Sequence, residues 1–151
     1  MRIATGSDHA GLALKQGLRE YLESEGHTVT DLGTHTKESC DYPDYAAEVA
    51  RAVVDGDADF GLLLCGTGVG MCMAANKVAG IRAAVVSDSF SARATRQHND
   101  ANVLCMGERV VGQGLAQEIL AAWLDAEYEG GRHQRRIDTV SYTHLTLPTK
   151  A

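Results

Sequence analysis

The stretch Phe60–Gly70, FGLLLCGTGVG, most constrains what this chain folds into. A short apolar run stops at Cys65, glycines follow at 66, 68 and 70, and small apolar residues continue to Lys77. A continuous apolar run of this length reads as a buried strand, and Val69–Lys77 as the helix after it. Glycines between the two let bare backbone approach a ligand, because no side chain stands in the way. The first N–H groups of a helix have no partner within it and carry partial positive charge, so they hold anions and favour thiolate chemistry nearby. A cysteine beside such a cradle, at the carboxyl end of a strand, sits where α/β proteins bind ligands.

The rest of the chain repeats this strand–helix alternation, the pattern of a parallel sheet covered by helices. Strands are expected at Arg2–Ser7, Thr28–Leu32, Phe60–Cys65, Ile81–Val86 and Ala101–Met106. Asp8-His9-Ala10-Gly11 turns into a helix with the stripe Leu14, Leu18, Tyr21, Leu22, stopped at Gly26. Gly33–Pro43 reads as a polar loop, and Asp44 as the start of a helix with Tyr45, Ala46, Val49, Ala52 and Val53 on one face. Ser87 or Asp88 caps a helix to about Gln97. Leu115, Ile119, Trp123 and Leu124 mark a last helix ending at Gly130-Gly131. No repeat or linker divides the chain, so one domain is expected over 1–140. SYTHLTLPTKA, residues 141–151, carries Pro148 and no helical period. It is expected to be a tail, either disordered or foreign to the natural chain.

The net charge is −6 with no polybasic run, which argues against nucleic-acid and membrane-surface partners. No stretch approaches the ~18 apolar residues of a membrane span, and Met1-Arg2-Ile3-Ala4 lacks a signal peptide's apolar region. Cys40, Cys65, Cys72 and Cys105 form no CxxC, so reduced thiols in a cytoplasmic protein are expected. Cys72 and Cys105 lie inside apolar segments and read as core residues.

The glycine loop is neither a dinucleotide fingerprint, since position 71 is Met, nor a P-loop, since Gly-Lys-Ser/Thr is absent. A cysteine phosphatase loop would put arginine where Met71 stands. The loop can hold an anion without the cation that phosphoryl chemistry demands. Asp8-His9 ends the first strand, commonly the neighbour of the third, and reads either as a helix cap with an exposed histidine or as part of the Cys65 site. His98, Asn99 and Asp100 end the fourth helix, either as dipole partners or in proton transfer. Arg132, His133, Arg135 and Arg136 crowd together in an acidic chain, as a solvated cluster or a phosphate clamp. Arg109 follows the fifth strand and reads equally as a surface arginine. No metal-ligand spacing occurs. One chemistry uses the thiol, the histidines, the amide, the backbone cradle and the arginines together: proton transfer next to a carbonyl of a phosphorylated sugar, with an enediolate stabilised by backbone N–H groups.

These motifs resemble the ribose-5-phosphate isomerase B family, within the wider group that holds the galactose-6-phosphate isomerase subunits. The resemblance runs from Arg2 to Val140 and is carried by Ser7–Gly11, Asp41-Tyr42-Pro43, Cys65–Gly70, Asn76-Lys77, Gly80–Ala83, Arg96–Asn102 and Tyr128–His133. It implies a Rossmann-like three-layer αβα sandwich with a five-stranded parallel sheet. It also implies a metal-free aldose–ketose isomerase of the pentose phosphate pathway, without cofactor, interconverting ribose 5-phosphate and ribulose 5-phosphate. By the same resemblance Cys65 is the proton acceptor, since Met71 stands where some members carry glutamate. His98 opens the sugar ring, with Thr67 close to that step. Gly66, Thr67, Gly68, Val69, Gly70 and Asn99 stabilise the enediolate. Asp8, His9 and Tyr42 contact substrate, and Arg109, Arg132 and Arg136 hold it, chiefly at the phosphate. The family forms homodimers or dimers of dimers with shared sites, which would bring His98, Asn99 and Arg109 from the subunit opposite Cys65. A charged helix after Arg136 is the family's habit, from which SYTHLTLPTKA departs. The alternatives are a hexose 6-phosphate (allose or galactose) isomerase and a catalytically silent sugar-phosphate-binding subunit.

Overall fold

The computed structural model describes residues 1–145. Five parallel strands, β1 (Arg2–Ser7), β2 (Thr28–Asp31), β3 (Phe60–Cys65), β4 (Ala83–Val85) and β5 (Val103–Gly107), form one sheet in the order β2-β1-β3-β5-β4. The helices are α1 (Leu12–Ser24), α2 (Tyr42–Val54), α3 (Val69–Ala75), α4 (Ser89–Asn99), α5 (Gln113–Asp125) and α6 (Arg132–Leu145). The architecture is the expected α/β three-layer sandwich.

Side chains alternate across a strand, and β3 divides its residues accordingly. Leu62 and Leu64 join Leu14, Leu18 and Leu22 of α1 and Ile119, Leu120 and Trp123 of α5 in one core. Leu63 and Cys65 join Ala46, Val49 and Ala50 of α2 and Met71 and Ala75 of α3 in the other. Burial on both faces explains why β3 reads as an unbroken apolar run. It also sets the strand order. All five β5 residues are buried, whereas those of β4 are half-buried or exposed, so β5 lies beside β3 and the short β4 takes the edge.

Several boundaries differ from those read along the chain. α2 starts two residues before Asp44, with Asp41 as its N-cap and Pro43 in the first turn, where a missing N–H costs nothing. α5 ends at Asp125 rather than at Gly130-Gly131. Those two glycines take left-handed φ of 67° and 61° and lead into α6. α6 continues through Ser141–Leu145, so the first part of the expected tail is helical. Thr139 and Thr143 bond their hydroxyls back to the Arg135 and Val140 carbonyls, which lets threonine ride in a helix. Residues 146–151 lie outside the described part of the chain.

A charge inside the fold anchors the loop after β2. Lys15 is fully buried, and its Nζ meets Asp31 Oδ1 at 2.7 Å and donates to the Thr34 carbonyl. Removing one partner of a buried pair strands the other, at about 3–5 kcal/mol. Lys15→Ala is therefore expected to lower the unfolding free energy by about 3 kcal/mol or more in urea titration; a loss under about 1 kcal/mol would show that Arg19, 3.6 Å from Asp31 Oδ2, or solvent takes over the carboxylate.

Candidate active site

Neighbouring backbone fixes the carboxyl end of β3. The Leu64 carbonyl accepts the Asp8 N–H at 3.3 Å, the Cys65 carbonyl the Glu108 N–H at 2.9 Å, and the Gly66 carbonyl the Arg109 N–H at 3.0 Å. The turn after β1 presses on the same point, since a Cβ at Gly11 would lie 2.5 Å from the Leu64 carbonyl carbon. This brings β1, β3 and β5 to one spot, where the chain leaves β1 for β2 on one side of the sheet and β3 for β4, at the far edge beyond β5, on the other. Such a switch point is the ligand crevice of open parallel sheets.

The glycine loop starts there. Gly68 has φ of 82°, and a Cβ on it would lie 2.9 Å from the Met106 carbonyl carbon, so conformation and space both call for glycine. In this posture the Gly68 N–H donates to Cys65 Sγ at 3.0 Å. Cys65 is 6 % exposed, more buried than its place at the strand end implied, and belongs to the core facing α2 and α3. The exposed Thr67 accepts the Val69 N–H on its hydroxyl at 3.2 Å. The Tyr42 ring lies against Gly70, and the Arg109 side chain against Gly66 of its own chain.

Asp8 and His9 reach the same place through the β1–β3 pairing. Asp8 Oδ1 accepts the Ala10 and Gly11 N–H groups at 3.0 and 3.1 Å, so this carboxylate does cap the turn. His9 Nδ1 accepts the Cys40 N–H at 3.2 Å. In the neutral ring the proton then resides on Nε2, a donor free for a ligand oxygen.

His98, Asn99 and Arg136 lie elsewhere. They line a cleft of about 590 Å³ with Asn76, Ala83 and His133; none of Cys65, Asp8, His9 or the loop residues 66–70 lines it. The end of α4 that carries His98 is tied down by ion pairs and ring contacts. Asp100 adopts left-handed φ of 48° and is bound by Arg82 at 3.3 Å and Arg96 at 3.0 Å. The Arg96 guanidinium packs 4.7 Å from the Phe60 ring centroid and 5.7 Å from that of Trp123. Arg132 is exposed at the start of α6, and one turn on Arg136 lines the cleft.

Two features escaped the sequence reading. His98, Glu129 and His133 converge, although they come from α4, the segment before α6, and α6 itself. Sequence spacing carries no trace of that approach. Cys72 and Cys105 also meet, from α3 and β5. Burial, chiefly, pushes the Cys105 thiol well above the ordinary range. Its hydrogen bond to Cys72, helped by the Val85 backbone and the Asn76 amide, pulls the half-buried Cys72 thiol down to about 7.

The family model described as Ribose/Galactose Isomerase matches residues 3–140. The chain belongs to that family. Among its members, the Escherichia coli ribose-5-phosphate isomerase B is 54% identical over 140 residues, covering 93% of this chain and 94% of that protein. The ribose-5-phosphate isomerase B structure from Clostridium thermocellum superposes with a TM-score of 0.95 at 50% identity, over 96% of this chain and 98% of that one. The Mycoplasma genitalium family member, solved with ribulose-5-phosphate bound, superposes with a TM-score of 0.91 at 46% identity, over 95% and 96% of the two chains. No helix among the described residues is long and apolar enough to cross a membrane.

Because the Cys72 thiol is depressed to about 7, its thiolate predominates above that pH and its thiol below. Alkylation of Cys72 by iodoacetamide, followed by peptide mass spectrometry, is expected to rise with a midpoint near pH 7, with Cys105 unlabelled in the folded protein. A Cys72 midpoint near the ordinary thiol value of about 8.5 would refute the pairing.

Proposed function

We propose that this protein is a ribose-5-phosphate isomerase, interconverting ribose 5-phosphate and ribulose 5-phosphate through an enediolate without a metal. The observation that carries this reading is the Cys65–Gly70 loop at the β1/β3 switch point, with its Gly68 N–H on the cysteine sulfur. It occurs in a chain 46% identical to one seen with ribulose-5-phosphate.

In this mechanism the Cys65 thiolate removes the proton from the carbon beside the carbonyl and returns it to the former carbonyl carbon, while the hydroxyl proton passes from one enediolate oxygen to the other. Loop N–H groups from Gly66 to Gly70, with Asn99, stabilise the enediolate oxygens, where preorganised donors act most strongly. His98 moves the proton that opens the furanose ring, close to Thr67. Asp8 and His9 bind sugar hydroxyls, and Tyr42 lines the pocket. Arg109, Arg132 and Arg136 take the phosphate, as guanidinium forks suit its oxygens.

General acid–base groups act within about 2.6–3.2 Å of the proton they move, or through one water. Since Cys65 and the His98 cleft share no lining residue, a second copy supplies what one chain does not. The active unit is then a homodimer, alone or as a dimer of dimers, with His98 and Asn99 of one subunit facing Cys65 of the other. Arg109, against its own Gly66, can serve the loop of its own chain, unlike the cross-subunit role the resemblance implies for it.

Ribulose 5-phosphate formation is expected from the purified protein, unchanged by EDTA. In Cys65→Ala, turnover falls by about 10²–10⁴-fold, the usual worth of a positioned base, while sugar-phosphate binding persists. Near-wild-type turnover in the variant would remove Cys65 as the base. Mixing inactive Cys65→Ala with inactive His98→Gln under subunit exchange restores one intact site per mixed dimer if sites are shared, and none if each site lies within one chain. Faster turnover of galactose or allose 6-phosphate than of ribose 5-phosphate would favour the hexose reading, which the family's two-sugar description keeps in view.

A further inference from the structure

We infer that His98, Glu129 and His133 form a binding site for a divalent first-row transition ion, zinc above all. Glu129 Oε1 lies 3.7 Å from His98 Nε2 and 3.6 Å from His133 Nε2, and the three ligand atoms all lie within 4.8 Å of one another. Those two separations exceed hydrogen-bond length, so the carboxylate faces both imidazoles without bonding either. They approach the edge of a tetrahedron built on metal–ligand bonds of about 2.0–2.1 Å, which is about 3.4 Å. Two imidazoles and a carboxylate form a borderline set that selects zinc, nickel or copper over magnesium and calcium.

The backbone brings the three residues together before any ion arrives. The Glu129 N–H donates to the Gln97 carbonyl at 3.0 Å, tying the segment before α6 to the last turn of α4. His133 is 8 % exposed, and its ring stacks on that of His98 with centroids 4.5 Å apart and planes 17° apart. Stacked in this way the two rings direct their in-plane lone pairs side by side, so ion binding requires the exposed His98 ring to swing by tens of degrees out of the stack. Both His98 and His133 line the 590 Å³ cleft, so the remaining coordination positions open to solvent or ligand.

Occupation engages the Nε2 of His98, leaving that nitrogen unable to carry a proton. An ion there therefore inhibits the isomerase. This consequence rests on the proposed role of His98 in ring opening; the binding itself does not.

The test titrates the full-length protein with zinc against a chromophoric chelator. One ion per chain is expected. Binding is at least about tenfold weaker in Glu129→Gln and in His133→Gln and unchanged in Cys65→Ala, with thermal melts showing each variant folded. Glu129 is half-exposed, so its variant keeps the test open should His133→Gln fail to fold. Cobalt in place of zinc should give visible bands without a thiolate charge-transfer band. Absence of a stoichiometric ion would overturn the site. So would loss of binding in Cys65→Ala with retention in Glu129→Gln, which would put the ion on the thiol. In activity assays, zinc should inhibit the wild type, EDTA should reverse it, and Glu129→Gln should need at least about tenfold more zinc for the same fractional loss. Stoichiometric binding that spares activity would leave the site standing and overturn the part given to His98.

Discussion

The hydrogen bonds at the carboxyl end of β3 are the constraint on which the rest depends. Three successive carbonyls, those of Leu64, Cys65 and Gly66, accept N–H groups from the residues that follow β1 and β5. A strand end normally frays, because its last groups lose their ladder partners. Here they are bonded from both sides, and the chain must leave the sheet in one posture. The left-handed Gly68, its contact with Met106 and the N–H on the cysteine sulfur all follow from that posture.

The same logic governs the second set of candidate residues. His98 and Asn99 sit on the last turn of a helix, which would be mobile alone. Asp100 turns the chain sharply, and two arginines clamp it; one of these is sandwiched against Phe60 and Trp123 in the core. Core packing is thus converted into positional precision at a partly exposed histidine. The buried Lys15–Asp31 pair does similar work for the loop that carries Cys40 to His9. In each case a charge taken out of water is held by several partners, the condition under which burying it is tolerable.

The histidine cluster and the thiol pair show how little of a site needs to be local in sequence. Glu129 and His133 are four residues apart across the Gly130-Gly131 turn, yet His98 joins them only because α6 folds back onto α4. Cys72 lies in an apolar segment and reads as core, but α3 is short and its half-buried thiol points at Cys105 and the Ala83 carbonyl. Composition and spacing say nothing about such approaches, which arise from how layers stack.

What the sequence by itself determined is the class of fold and the nature of the central loop. Strand and helix periodicities are local properties, and so is a glycine's tolerance of left-handed backbone; the β3 run, the α1 stripe and the Cys65–Gly70 turn were legible for that reason. Tertiary structure alone decided the order of β4 and β5, because an edge position is chosen by relative burial of two apolar strands. It decided that helix continues through Ser141–Leu145, where Thr143 finds a backbone acceptor that no periodicity announces. It also decided that Cys65 and His98 lie in separate places within one chain, because the distance between them is a property of packing, and packing is the sum of contacts between residues far apart in the sequence.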